Sequence, residues 1–290
     1  MTQAFLRQIW LLFFVFLSKS CFLIAVDKPA PYILVSIAPH KLFVEKIAKG
    51  TVQVYLMVPA GASAHTYEPT PRQMLTASNA DIWFRIGESF ENRAIQALKS
   101  HHPDLEIVDL RQGLDLIQTD HAHGHRGCCS GSTDLHFWLS ARQAQIQAQT
   151  IAEALIKAYP EHTELYRTNL QVVQQELQEL DQDIRAILTP LKNRHILVSH
   201  PAYAYFCRDY ALEQHAIEVE GKDPTPQQMT KLLNLAKQLQ LSTIFIQMQY
   251  NNKAAKLVAD TLGAKLVVLD PYAEHYFTSM REIAHAFANE

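Results

Sequence analysis

Three histidines and one aspartate stand where metal ligands are useful. His65 lies in PAGASAHTYEPTPRQ, directly after the apolar run VQVYLMVP; His200 ends HILVSH before Pro201, and Asp270 ends KLVVLD before Pro271. His136, in STDLHFWLS, marks the junction between a glycine- and serine-rich stretch and a helical pattern, where Phe137 and Trp138 can hold it rigidly. A proline after a strand stops extended pairing, so His200 and Asp270 fall at element boundaries. Each residue alone has a plainer explanation: exposed loop histidines are common, and a polar residue after a strand often caps the next helix. Together, three imidazoles and one carboxylate suit Zn2+, which takes nitrogen and oxygen donors at ~2.0–2.2 Å in a tetrahedron. Four protein ligands close the shell, whereas a hydrolytic zinc keeps a position open for water, and the chain has no H-E-x-x-H pair. The set favours capture over catalysis.

A second histidine group precedes His136. In HAHGHRGCCSGSTD, His121, His123 and His125 alternate with Ala122 and Gly124. The glycine and serine around them read as a flexible stretch, and a flexible chelator must be ordered each time it binds. Auxiliary, low-affinity metal binding is expected there, with a thiol site at Cys128 and Cys129 or a plain linker as the competing readings. Glu68 and His275 are candidates for partners that orient an imidazole. His40 ends the first strand and reads as a solvated cleft histidine. His101, His102, His162, His195, His215 and His285 read as ordinary surface or satisfied residues.

Such ligands need rigid carriers. From Tyr32 the chain alternates YILVSIAP, KLFVEKIAKG, VQVYLMVP, RQMLTASNA and DIWFRIG, the pattern of β/α units around a parallel sheet. From Pro160 to Thr189 there is no internal proline or glycine, and Leu170, Val173, Leu177, Leu180, Ile184 and Ile187 recur three or four apart. One helix of about 45 Å follows, with Pro160 in its first turn and Pro190 beyond its end. The alternation then resumes in HILVSH, STIFIQMQ and KLVVLD. The expected fold class is α/β: two β/α lobes with mainly parallel sheets, joined by a long rigid backbone helix. The expected divisions are a signal segment at 1–26, an N-terminal lobe at 27–160 containing the His-rich loop 121–133, a linking helix at 160–189 and a C-terminal lobe at 190–290. Open α/β sheets bind ligands outside the carboxyl ends of their strands, which is where the four candidates fall.

The bulk properties narrow the partners. A chain of 290 residues, 48% apolar and 19% charged, is long enough for two domains. Its net charge of -3, from 26 basic and 29 acidic residues, offers no footing for nucleic acid. MTQAFLRQIWLLFFVFLSKSC places Arg7 before an apolar run from Ile9 to Leu17, an export signal too short to span a ~30 Å bilayer. The expected location is the periplasm or the outer face of the cytoplasmic membrane. Cys21 follows that run as a lipid acceptor would, although Lys19 departs from the usual lipobox. Cys21, Cys128, Cys129 and Cys207 imply no disulfide framework.

GASAHTYEPTPRQ, TDLHFWLS, ILVSHPAYAYFCRDYAL and VVLDPYAEHYF resemble, in order and spacing, the four ligand-bearing motifs of the metal-binding solute-binding proteins of ABC importers, the ZnuA and TroA type. PEHTELYRTNL and GKDPTPQQMTKL are similar to that family's connecting segments. The resemblance implies a metal ion in the cleft between two lobes, held by His65, His136, His200 and Asp270, with no catalytic residues. It also implies a monomer that delivers the ion to an ABC permease and, through it, to an ATPase. Manganese-type members usually have a carboxylate at the third motif; His200 there favours zinc, with Mn2+ or Fe2+ as the alternatives. Gln247 stands where many zinc-type members have an acidic residue. Two readings from other classes are an exported zinc-dependent hydrolase with Glu68 as base, and a surface adhesin in which metal only stabilises the fold.

Overall fold

The computed structural model describes residues 30–118, 133–218 and 222–290. The expected signal segment lies outside the described residues.

Two four-stranded parallel sheets share one design. The first joins β1 (Tyr32–Val35), β2 (Gln53–Leu56), β3 (Ile82–Arg85) and β4 (Glu106–Asp109) in the order β2-β1-β3-β4. The second joins β5 (His195–Val198), β6 (Glu213–Ala216), β7 (Thr243–Ile246) and β8 (Lys265–Val268) in the order β6-β5-β7-β8. The inner strands YILV, IWFR, HILV and TIFI are almost wholly buried, as strands covered by helices on both faces must be. The edge strands QVYL, EIVD, EQHA and KLVV are only partly buried or exposed.

The helices are α1 (Ala38–Ala48), α2 (Pro71–Ala77), α3 (Ser89–His101), α4 (Ala141–Ala158), α5 (Thr163–Leu188), α6 (Ala204–Tyr210), α7 (Pro226–Gln238), α8 (Lys253–Leu262) and α9 (Tyr276–Ala288). Helices α2 and α7 open on the same device, TPRQ and TPQQ. In each, the threonine hydroxyl accepts from the N–H of the glutamine three residues on, and that glutamine's side chain accepts from the threonine N–H. Proline at the first helical position gives up an N–H that had no partner there.

The long helix α5 has 26 residues, about 39 Å at ~1.5 Å per residue. Its buried stripe is Tyr166, Leu170, Val173, Leu177, Leu180, Ile184 and Leu188, and it packs against α1, α4 and α9. It starts later than the sequence pattern suggests. Pro160–His162 form a separate 3-10 turn, because Tyr159, the residue before proline, takes φ -131° outside the helical region. A second tie joins the lobes: on α9, Tyr276 meets Phe43 of α1 edge-on at 5.0 Å, and Phe287 packs on Phe206 and Phe245 at 5.5 and 4.8 Å. Among the described residues, no helix is long and apolar enough to cross a membrane.

His40 is not a cleft residue. Helix α1 begins two residues before it, which turns its ring inward among Phe43, Phe137 and Trp138. It is fully buried, with Nε2 2.7 Å from Gln147 Oε1. Burial penalises the charged ring and lowers its pKa to about 4, against the opposing Gln147 hydrogen bond. Since the folded value lies below the unfolded one, the native state binds fewer protons between them, and stability falls as pH drops from about 6.5 towards 4. The loss attributable to this ring approaches about 3 kcal/mol. Urea unfolding of the wild type and of His40→Gln at pH 7 and pH 4.5 checks this: the variant should lose distinctly less stability on acidification.

Candidate metal centre

The parallel topology brings the carboxyl ends of β2, β4, β5 and β8 towards one region, and each leads to one of the four candidates. His65 sits in the 3-10 turn Ala64–Thr66 after β2. His136 precedes the 3-10 turn Phe137–Leu139, which Ser140 separates from α4 by capping it. His200 follows β5 by two residues.

These three imidazoles meet. Each offers a ring nitrogen within 4.8 Å of the others, and the Nε2 atoms of His65 and His136 are 3.1 Å apart. Ring centroids lie 4.9 to 5.3 Å from one another. A tetrahedral zinc with bonds of ~2.0–2.1 Å has ligand-to-ligand edges of about 3.3–3.4 Å, a spacing close to that of His65 and His136.

Behind each ring stands a carboxylate. His65 Nδ1 is 2.8 Å from Glu88 Oε1, His136 Nδ1 is 2.8 Å from Asp134 Oδ1, and His200 Nδ1 is 2.5 Å from Glu218 Oε2. Pairing Nδ1 this way fixes ring orientation and leaves Nε2 as the donor atom. Local structure explains each partner. Asp134 Oδ1 also accepts from the backbone N–H of His136 at 2.9 Å, folding the D-x-H segment onto itself. The pairing of β5 with β6 continues past both strands, where Glu218 N donates to Ser199 O at 3.0 Å and so sets Glu218 beside His200. Glu88 leaves a tight loop in which buried Glu91 accepts from Ile86 N and Gly87 N at 2.9 and 2.6 Å. Gly87 has φ +102°, a backbone conformation that favours glycine.

The electrostatics differ from ring to ring. Burial acts to lower His65, but the Glu88 hydrogen bond and the charges of Glu88, Asp134 and Glu218 outweigh it, leaving the pKa raised. Burial lowers His200 and the neighbouring imidazoles add to it, against the pull of Glu218. Glu88 and Asp134 are buried, and Glu218 is partly buried. Three buried or partly buried carboxylates behind three imidazoles make a pocket suited to a cation, since buried negative charge is costly without compensation. Tyr250 closes on the group, stacked on His200 at 4.3 Å with its hydroxyl 3.3 Å from His200 Nε2 and accepting from Ser63 Oγ at 3.1 Å.

Asp270 is not in the group of three. Its Oδ1 accepts from Gln249 Nε2 at 2.7 Å and from Tyr272 N at 2.9 Å. Its loop is nevertheless tied to that of His136: the Trp138 indole N–H donates to Pro271 O, and the Tyr276 hydroxyl donates to Trp138 O, both at 2.7 Å. Glu68 is exposed and paired with Arg93, and His275 is exposed, so neither orients an imidazole. The residues that do, Glu88, Asp134 and Glu218, were open to the strand-end argument applied to the histidines, since Glu88 and Glu218 follow β3 and β6. His121, His123 and His125 lie outside the described residues.

The family model described as the periplasmic zinc-uptake complex component A, ZnuA, matches residues 33–290. The chain belongs to the ZnuA family. ZnuA-family proteins are metal-binding solute-binding components of ABC importers. This ZnuA-family chain is 36% identical over 260 residues to a Chlamydia muridarum protein named for metal binding, covering 89% of this chain and 90% of that one. It is 27% identical over 226 residues to the manganese-binding lipoprotein MntA of Halalkalibacterium halodurans, covering 77% and 72%. A crystal structure of ZnuA superposes with a TM-score of 0.83 at 35% identity, covering 90% of this chain and 98% of that one.

Proposed function

We propose that this chain is an exported carrier that captures one divalent transition metal, zinc before manganese or iron, between its two lobes. His65, His136 and His200 bind it through Nε2. Asp270 supplies the fourth ligand by exchanging its bond from Gln249 for one to the ion. The observation that carries this reading is the convergence of three imidazoles, each backed by its own carboxylate. Three nitrogen donors select a borderline ion such as zinc over the harder manganese, which prefers oxygen. A shell of four protein ligands with no water serves capture, and the exposed, Arg93-paired Glu68 is no general base for hydrolysis. The same reading has the loaded chain dock as a monomer on an ABC permease, which passes the ion inward with its ATPase. His121, His123 and His125 then act as an auxiliary, weaker collector.

The test is competition at equilibrium. Zinc titrated against a chromophoric chelator should fill one tight site per chain, and manganese in large excess should not empty it. Displacement of zinc by comparable manganese would overturn the metal assignment.

A further inference from the structure

A second cluster of ligand-type side chains lies on the C-terminal sheet, away from the cleft. His195 opens β5, and Glu213 and His215 sit two apart on the edge strand β6, so the last two project from the same face. The register sets His195 opposite Glu213 and Leu197 opposite His215. This makes Glu213 the direct cross-strand neighbour of His195 and His215 the diagonal one.

The distances are those of a metal shell. His195 Nδ1 is 3.1 Å from His215 Nε2, Glu213 Oε2 is 3.5 Å from His195 Nδ1, and Glu213 Oε1 is 3.7 Å from His215 Nε2. The edges of a tetrahedral zinc shell are about 3.3–3.4 Å, so all three separations fall within a few tenths of an ångström of it. The two rings lie nearly parallel, 27° apart with centroids at 5.3 Å. As an ion pair alone the cluster would contribute little, because the Glu213 side chain is 64% exposed. That same exposure lets an ion enter and lets water complete its shell.

We propose that His195, Glu213 and His215 form a second divalent-metal site for zinc or a similar borderline ion. It is independent of the cleft: His195 and His200 stand at opposite ends of β5, on the order of 16 Å apart at ~3.3 Å per residue. It is also the weaker site. It has three protein ligands rather than four, it is half open to solvent, and its carboxylate is a ligand instead of a brace behind a ring. An ion there clips the edge strand β6 to β5, and so links metal supply to the stability of the sheet that carries His200 and Glu218.

The test follows individual histidine rings by NMR while zinc is added to the full chain. The first equivalent should move the cleft rings, and further zinc should move His195 and His215 together. His215→Gln, and separately Glu213→Gln, should lose that second event and one weakly bound zinc while keeping the tight first equivalent, which also shows that the variants fold. Glu213 is exposed enough that its substitution leaves packing intact. Zinc collected at His121, His123 and His125 would leave His195 and His215 unmoved. That outcome, or an unchanged number of bound ions in both variants, would overturn the proposal.

Discussion

His200→Ala is expected to weaken zinc binding by well over about 100-fold, or more than about 2.7 kcal/mol. The scale follows from a graded comparison. Outer partners of metal ligands cost roughly 10–100-fold when removed, so Glu218→Gln should fall in that range, and loss of the ligand itself should exceed it. His200 is held between Glu218 on Nδ1 and the stacked Tyr250 ring, and its own contacts are the site's contacts. Alanine there removes a donor without opening the main core, so the apo protein should unfold much as the wild type does. Chelator competition reads the affinities directly. Equal affinity of wild type and His200→Ala would remove this imidazole from the site.

The second large effect is expected at Trp138, which couples packing to the site. Its side chain is fully buried against Tyr272 at 5.2 Å and His136 at 5.4 Å, and its N–H holds the Pro271 carbonyl. Trp138→Ala should cost about 3–5 kcal/mol of apo stability in denaturant unfolding, the usual range for emptying a buried aromatic site. Trp138→Phe keeps most of the volume but strands the Pro271 carbonyl, which should cost about 1–3 kcal/mol. It should also weaken zinc binding, because the loops of His136 and Asp270 lose a tie. A Trp138→Ala protein within 1 kcal/mol or so of the wild type would mean that this ring does not organise the region.

The contrast between what the sequence announces and what it conceals has a physical basis. Inner strands such as YILV, HILV and TIFI are legible because burial on both faces demands unbroken apolar runs. Edge strands such as EIVD and EQHA carry no such mark, since one side meets water, and they emerge only from their pairing. His65 and His200 are legible because each follows a strand, and strand ends in a parallel sheet converge; His136 is legible as the residue that opens the turn before α4. The same rule misplaces His40, because the helix begins before it and turns its ring into the core. Glu88 and Glu218 follow equivalent strand ends and Asp134 stands two residues before its own ring, but assigning Glu218 to His200 requires the β5–β6 register. The cluster of His195, Glu213 and His215 depends on that register entirely. Read along the chain, its histidines are twenty residues apart and have no visible partner.

The most direct measurement of the central claim is X-ray absorption at the zinc edge of the chain loaded with one equivalent. The account predicts four light neighbours near about 2.0 Å, three of them imidazoles identified by the scattering of their outer ring atoms. A shell containing sulfur, or holding two imidazoles or fewer, would contradict it.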